Sequence, residues 1–179
     1  MRRLSLFLLV CLLYAGAATA RAQVTPSAYD KTISLTAGGL GSMFQPDYGP
    51  NTLYGVGVYV DLKLTRWVQV EAEGRWLRFH QFANVNQDNY LIGPRVPIRQ
   101  FGRVTPYVKV LAGVARMNFQ YNYAYGRFAD VAMGGGADIQ LNRHWTLRAV
   151  DFEYQKWPNW AFGTLAPYGV SAGIGYKIF

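Results

Sequence analysis

Residues Tyr54 to Phe79 alternate apolar and polar side chains twice, on either side of a short polar turn. In the first run Tyr54, Val56, Val58, Val60, Leu62 and Leu64 fall on one face. Gly55, Gly57, Tyr59, Asp61 and Lys63 fall on the other. In the second run Val68, Val70, Ala72, Gly74 and Trp76 oppose Gln69, Glu71, Glu73 and Arg75. A side-chain period of two over about ten residues belongs to a β-strand, because a helix needs a period near 3.6. The alternation leaves orientation open. A soluble sheet points its apolar face at a core, whereas a membrane barrel points it at lipid and turns the charges into a lumen.

The beginning of the chain sets the compartment. Arg2 and Arg3 precede an apolar run from Leu4 to Tyr14, and two Ala-x-Ala sites follow at Ala18-Thr19-Ala20 and Ala20-Arg21-Ala22. This is the order of a cleaved secretory signal peptide, expected over residues 1–22, and the run is too short to span a bilayer as a helix. Cleavage after Ala22 is the expectation, with Ala20 the alternative. The single cysteine, Cys11, lies inside this leader, so the mature part, 23–179, has no disulfide to staple a small scaffold. Without Arg2, Arg3 and Arg21 of the leader the formal net charge of +8 falls to +5, and this excess is scattered among strands and turns rather than gathered in a stripe, which argues against nucleic acid as a partner.

Beyond the leader the period of two recurs, and the sequence predicts eight strands. The first runs from Lys31 to Phe44, and the Tyr54–Phe79 hairpin supplies the next two. The others cover Tyr90 to Ile98, Val104 to Arg116, Asp130 to Leu141, Trp145 to Lys156 and Tyr168 to Phe179. Pro94 and Pro97 predict a distortion in the fourth, since proline cannot donate to a ladder. Asp61-Leu62-Lys63-Leu64-Thr65-Arg66 resembles Asp138-Ile139-Gln140-Leu141-Asn142-Arg143, so the opening hairpin is partly repeated. Connections after strands two, four and six are short, and those after one, three, five and seven are longer. Short turns at one end and long loops at the other are the asymmetry of an outer-membrane barrel. A lipocalin-type soluble barrel also has eight strands, but its interior is apolar. Here one face of each strand collects Asp61, Lys63, Glu71, Glu73, Arg75, Arg95, Lys109, Asp138, Asp151 and Glu153, and charges of both signs can pair inside a dry lumen. The expected fold is therefore all-β: an eight-stranded antiparallel up-and-down transmembrane β-barrel over 23–179.

The leader, the Tyr54–Phe79 hairpin, the run Tyr90-Leu91-Ile92-Gly93-Pro94-Arg95 through Gly102-Arg103-Val104-Thr105-Pro106-Tyr107-Val108, and the terminal Gly173-Ile174-Gly175-Tyr176-Lys177-Ile178-Phe179 resemble the small outer-membrane barrels of the OmpA/OmpX-like and opacity-type families. The resemblance implies the outer membrane of a Gram-negative-type bacterium, surrounding outer-membrane lipid, a monomer, and passage through the barrel-assembly machinery. In these families a terminal aromatic looks like the signal that machinery reads. Phe179 matches it, while Tyr176 stands three residues before the end, one place from the family's usual aromatic.

Function is less legible. Phe119, Tyr121, Tyr123, Tyr125 and Phe128 make the longest outer loop aromatic, and an exposed aromatic stripe is a candidate surface for an extracellular ligand. The alternative is packing over the barrel mouth. His80, with Ser42 and Asp88 in neighbouring loops, offers the residue types of a lipid-modifying acyl-transfer enzyme. A solvated loop histidine is the plainer reading. His144 sits in a short turn with no serine nearby. Asp47, Asp88 and Asp130 would suit a weak calcium site only if the fold brought them together. No Cys/His cluster suggests zinc. The expectation is a non-enzymatic structural or surface-interaction protein without cofactor or metal, with a small channel as a further alternative, although eight strands leave room for little besides side chains.

Overall fold

The computed structural model describes residues 33–47, 52–65, 67–81, 83–160 and 163–179. The expected leader and the first residues of the predicted opening strand lie outside these. Long strands cover Ser34–Gln45 (β1), Leu53–Lys63 (β2), Gln69–Phe79 (β3), Asn86–Pro97 (β4), Val104–Asn118 (β5), Tyr125–Gln140 (β6), Trp145–Trp160 (β7) and Tyr168–Lys177 (β9). A three-residue strand, Gly163–Leu165 (β8), pairs only with the far end of β7. Each long strand pairs antiparallel with its predecessor, β7 passes to β9, and β9 returns to β1. The sheet is thus a closed eight-stranded barrel. Closure leaves no edge, so each spanning strand has a neighbour on both sides, as a hydrocarbon surrounding demands.

The alternation of the opening hairpin becomes the burial pattern of β2, in which inward and outward residues strictly alternate. Val56, Val58 and Val60 point outward with Ile92, Val108, Val110, Met133, Phe152 and Ile174. Tyr54, Tyr90, Tyr154 and Tyr168 stand toward the loop end of this band, while Trp67, Phe101, Trp145 and Tyr176 stand toward the turn end. An apolar band between two aromatic girdles is the exterior of a membrane barrel.

Closure across β1 and β9 depends on small residues. A Cβ on Gly38 would come within 2.5 Å of the Tyr59 ring, and one on Gly175 within 2.4 Å of its hydroxyl. The two bare positions let the tyrosine ring of β2 lie across the seam inside the lumen. Pro94 leaves its mark as expected: the β4–β5 ladder pairs Ile92 with Ala112 and next Arg95 with Lys109, skipping Gly93 and Pro94.

Four predicted boundaries move in one direction, toward the loop end. β4 begins at Asn86 rather than Tyr90, β5 and β6 extend over half of the predicted 117–128 loop, and β7 continues to Trp160. For β4 the reason is the polar lumen. Asn86 to Asn89 reads as loop composition, but in a polar lumen an inward Gln87 and Asn89 are ordinary strand residues. What remains between β5 and β6 is a single 3-10 turn, Gln120–Asn122, with Tyr121 and Asn122 in the left-handed region at φ 55° and 59°.

Candidate functional site

The interior is filled in layers. At its middle, Lys109 of β5 sits among four carboxylates. Its Nζ lies 2.9 Å from Glu71, 3.2 Å from Glu73, 2.7 Å from Asp151 and 3.3 Å from Glu153. Toward the loop end Arg75 forks onto Glu153 at 3.1 and 3.2 Å, also donates to Glu73, and lies over the Phe44 ring. Toward the turn end Arg148 donates to Asp61 at 2.9 Å and Glu71 at 2.8 Å, and Arg95 bridges Asp61 and Asp138. Arg148 and Arg95 lie over the rings of Tyr59 and Tyr107, at 3.8 and 3.7 Å from ring centre to Cζ. Nearly all of these groups are buried, where an unpaired charge would be far more costly than a paired one.

Above the charges is an amide layer. Asn89 donates to Asp130 at 2.6 Å and to Gln155 at 3.1 Å, Gln87 donates to Gln155, and Gln155 donates to Glu153. Above that the loop end is closed by apolar side chains: Phe44, Leu53, Leu77, Val85, Ala115, Met117, Phe119, Trp157 and Leu165, with Phe128 stacked on Trp157 at 5.7 Å. The turn end is different. Ser34, Thr36, Asp61, Lys63, Gln69 and Gln140 are among the lining of a polar vestibule of about 200 Å³.

The sequence-predicted residues therefore part company. Asp61, Glu71, Glu73, Arg75, Arg95, Lys109, Asp138, Asp151 and Glu153 meet inside the lumen, and Lys63 stands half-buried at the vestibule rim. The aromatic stripe splits: Phe119 and Phe128 turn into the plug, whereas Tyr121, Tyr123 and Tyr125 are 78%, 93% and 62% exposed. That hairpin tip is tied to the next loop, because Tyr121 N–H donates to Ala83 O at 2.7 Å and Asn118 Nδ2 to Asn84 O at 3.0 Å. Tyr176 stacks with His144 at 5.6 Å and meets Trp145 edge-on. Phe179 is exposed at the turn end, its carbonyl accepting from Leu35 N–H.

Ser42, His80 and Asp88 are not brought together. The Ser42 hydroxyl shares a hydrogen bond with Ser171 inside the barrel, His80 Nδ1 meets Thr52 O at 3.0 Å outside it, and Asp88 pairs with Arg78. Asp47, Asp88 and Asp130 likewise have separate partners: Ala166 N–H, Arg78 and Asn89. Among the described residues, the carboxylates close enough to share a ligand are Glu71, Glu73 and Asp151. The Lys109 ammonium already bonds all three, so the cation this cluster needs is built into the chain.

Arg148 is the inward charge that alternation misplaces. Counting by twos puts it in phase with Val150 and Phe152, against lipid. The register of β7 slips against both neighbours between Arg148 and Asp151, and Ala149 and Val150 both end up outside. This bulge turns Arg148 inward. The available signal was energetic, since an arginine on the lipid face costs about 2–4 kcal/mol at mid-depth.

Residues 7–177 match the family described as outer membrane protein β-barrel domain. No curated relative matches the chain in sequence. Among solved structures, the fold is similar to Neisserial surface protein A, with TM-score 0.62, 8% identity, and cover of 83% of this chain and 98% of that one. It is also similar to OprG of Pseudomonas aeruginosa, with TM-score 0.56, 12% identity and cover of 83% and 97%. A third is Ail of Yersinia pestis, in complex with the heparin analogue sucrose octasulfate, with TM-score 0.51, 16% identity and cover of 82% and 97%. At such identities the likeness is one of fold.

Proposed function

The chain belongs to the outer-membrane β-barrel family, and from that premise we propose that it is a non-enzymatic surface-interaction protein whose binding element is the β5–β6 hairpin. In this reading the short turns and both strand termini face the periplasm and the long hairpins face the cell exterior, following the general asymmetry of such barrels. The observation that carries it is the exposure of Tyr121, Tyr123 and Tyr125 on a tip held by Ala83 and Asn84. A backbone held in place before a ligand arrives loses little freedom on binding it, and a tyrosine side chain has few rotamers to give up. The remaining aromatics of the stripe pack the mouth beneath them, so the tip stands on a solid base.

The test is replacement of all three tyrosines by serine on the cell surface. Loss of host-cell or surface adhesion, with heat-modifiable migration of the barrel unchanged, is the expected result. Adhesion equal to that of the parent would remove the hairpin as the binding element. The channel reading draws support from the vestibule alone, because the opposite end of the lumen is plugged. Planar bilayers containing the barrel are expected to show no conductance steps.

A further inference from the structure

Arg116 of β5 and Arg127 of β6 are direct partners across the ladder, and both point outward. Like charges placed opposite one another on a sheet face, with about 5 Å between Cβ atoms, repel and weaken the pair. Neither has a carboxylate at ion-pair distance among the described residues. The nearest in register to Arg116 is Asp88, whose two oxygens accept from Arg78 at 3.2 and 2.7 Å. Arg116 instead reaches over the Tyr90 ring at 5.6 Å, and Tyr90 accepts a hydrogen bond from Trp76 at 3.0 Å. Lys156, outward on β7, is also without a partner among the described residues.

Their height matters as much as their charge. Val114, the register partner of Tyr90, lies two residues below Arg116, and Ala129 lies two below Arg127. Tyr154 of the aromatic girdle lies two below Lys156. Three cations on consecutive strands thus stand just beyond the girdle at the loop end, where the acyl region of a bilayer gives way to headgroups. Below them Val110, Val114, Met133 and Phe152 present an apolar face.

We propose that Arg116 and Arg127 form a site for the phosphate of an outer-leaflet phosphoglycolipid, whose acyl chains lie along that face, while Lys156, which faces Val131 four places along β6 from Arg127, flanks the headgroup. The inference rests on the reading that the loop end faces the exterior. A phosphate between the two guanidiniums replaces their repulsion by charge-assisted bonds to each fork, and Arg116 keeps its place over the Tyr90 ring.

The test uses the folded barrel in phosphatidylcholine nanodiscs doped with diphosphoryl lipid A or with the same lipid dephosphorylated, and native mass spectrometry reads how much is retained. The parent is expected to retain the phosphorylated form preferentially. Arg116→Gln/Arg127→Gln is expected to abolish the preference, and Arg143→Gln at the turn end to leave it. A double variant that keeps the preference, an equal loss in R143Q, or full displacement by inorganic phosphate at matched concentration would each overturn the proposal. Should the double variant not fold, R127Q alone decides, since that side chain has no partner among the described residues: unchanged retention rejects the site. Sidedness is read separately by labelling Tyr123→Cys on intact cells, so failure of that reading and failure of the lipid site give different results.

Discussion

The two ends of the lumen are built to opposite rules. The loop end is shut by fully buried Leu53, Leu77, Met117 and Trp157, packed without charge. The turn end opens into a vestibule whose walls are hydroxyls, amides and the exposed margin of the Asp138–Arg95 pair. Among the described residues the interior charges lie between an apolar plug and a polar vestibule. They fill the middle of a blind cavity, where pairing rather than hydration keeps them tolerable. An eight-stranded barrel is just wide enough to be filled in this way.

The comparison can be broken at several places. The sharpest is chemical access, because the only cysteine of the chain lies in the expected leader. Thr36→Cys in the vestibule should react readily with a water-soluble maleimide in the folded barrel, and Met117→Cys in the plug should not react until the barrel is unfolded. Equal labelling would mean that the loop end is open. Next is the central ammonium. Lys109→Met leaves four carboxylates facing one another and should destabilise the barrel by about 4 kcal/mol, seen as a fall in the urea midpoint of heat-modifiable migration. Trp157→Ala should cost about 3 kcal/mol by leaving a cavity in the plug, measured in the same way, with the vestibule probe at position 36 unaffected. The smallest effect belongs to the outer surface. Arg78→Ala removes a part-buried pair, Arg78 being exposed and Asp88 nearly buried, and should cost about 1–2 kcal/mol.

Much of this architecture is legible in residue order alone. Alternation from Tyr54 to Phe79 sorts valines outward and Asp61, Glu71, Glu73 and Arg75 inward, and the structure has them so. It works there because the lipid face excludes charge, leaving a period of two with little noise. It fails where that contrast fades. Gln87 and Asn89 resemble loop residues because a polar lumen and a solvated loop select the same types. Trp157 resembles a loop aromatic because the lumen becomes apolar at its outer end, so inside and outside exchange composition. Arg148 fails for a different reason: one bulge shifts the count, and a bulge has no fixed signature in sequence. The aromatic stripe from Phe119 to Phe128 was visible as a cluster, but its division into plug and tip depends on the turn at Tyr121 and Asn122.

The placement of the four cations also bears on how such a chain reaches its membrane. Arg148 of β7 reaches Asp61 and Glu71, 87 and 77 residues earlier, and Lys109 joins β3 to β7 across the barrel. None of these partners is a strand neighbour. They meet only when the sheet has rolled up, so an incompletely closed intermediate would carry bare charges on a surface meant for the inside. Contacts of such sequence separation slow assembly. They also favour an all-or-none closure: a partly wrapped sheet is penalised until the barrel is complete, and the electrostatics of the lumen thereby act as proofreading of closure.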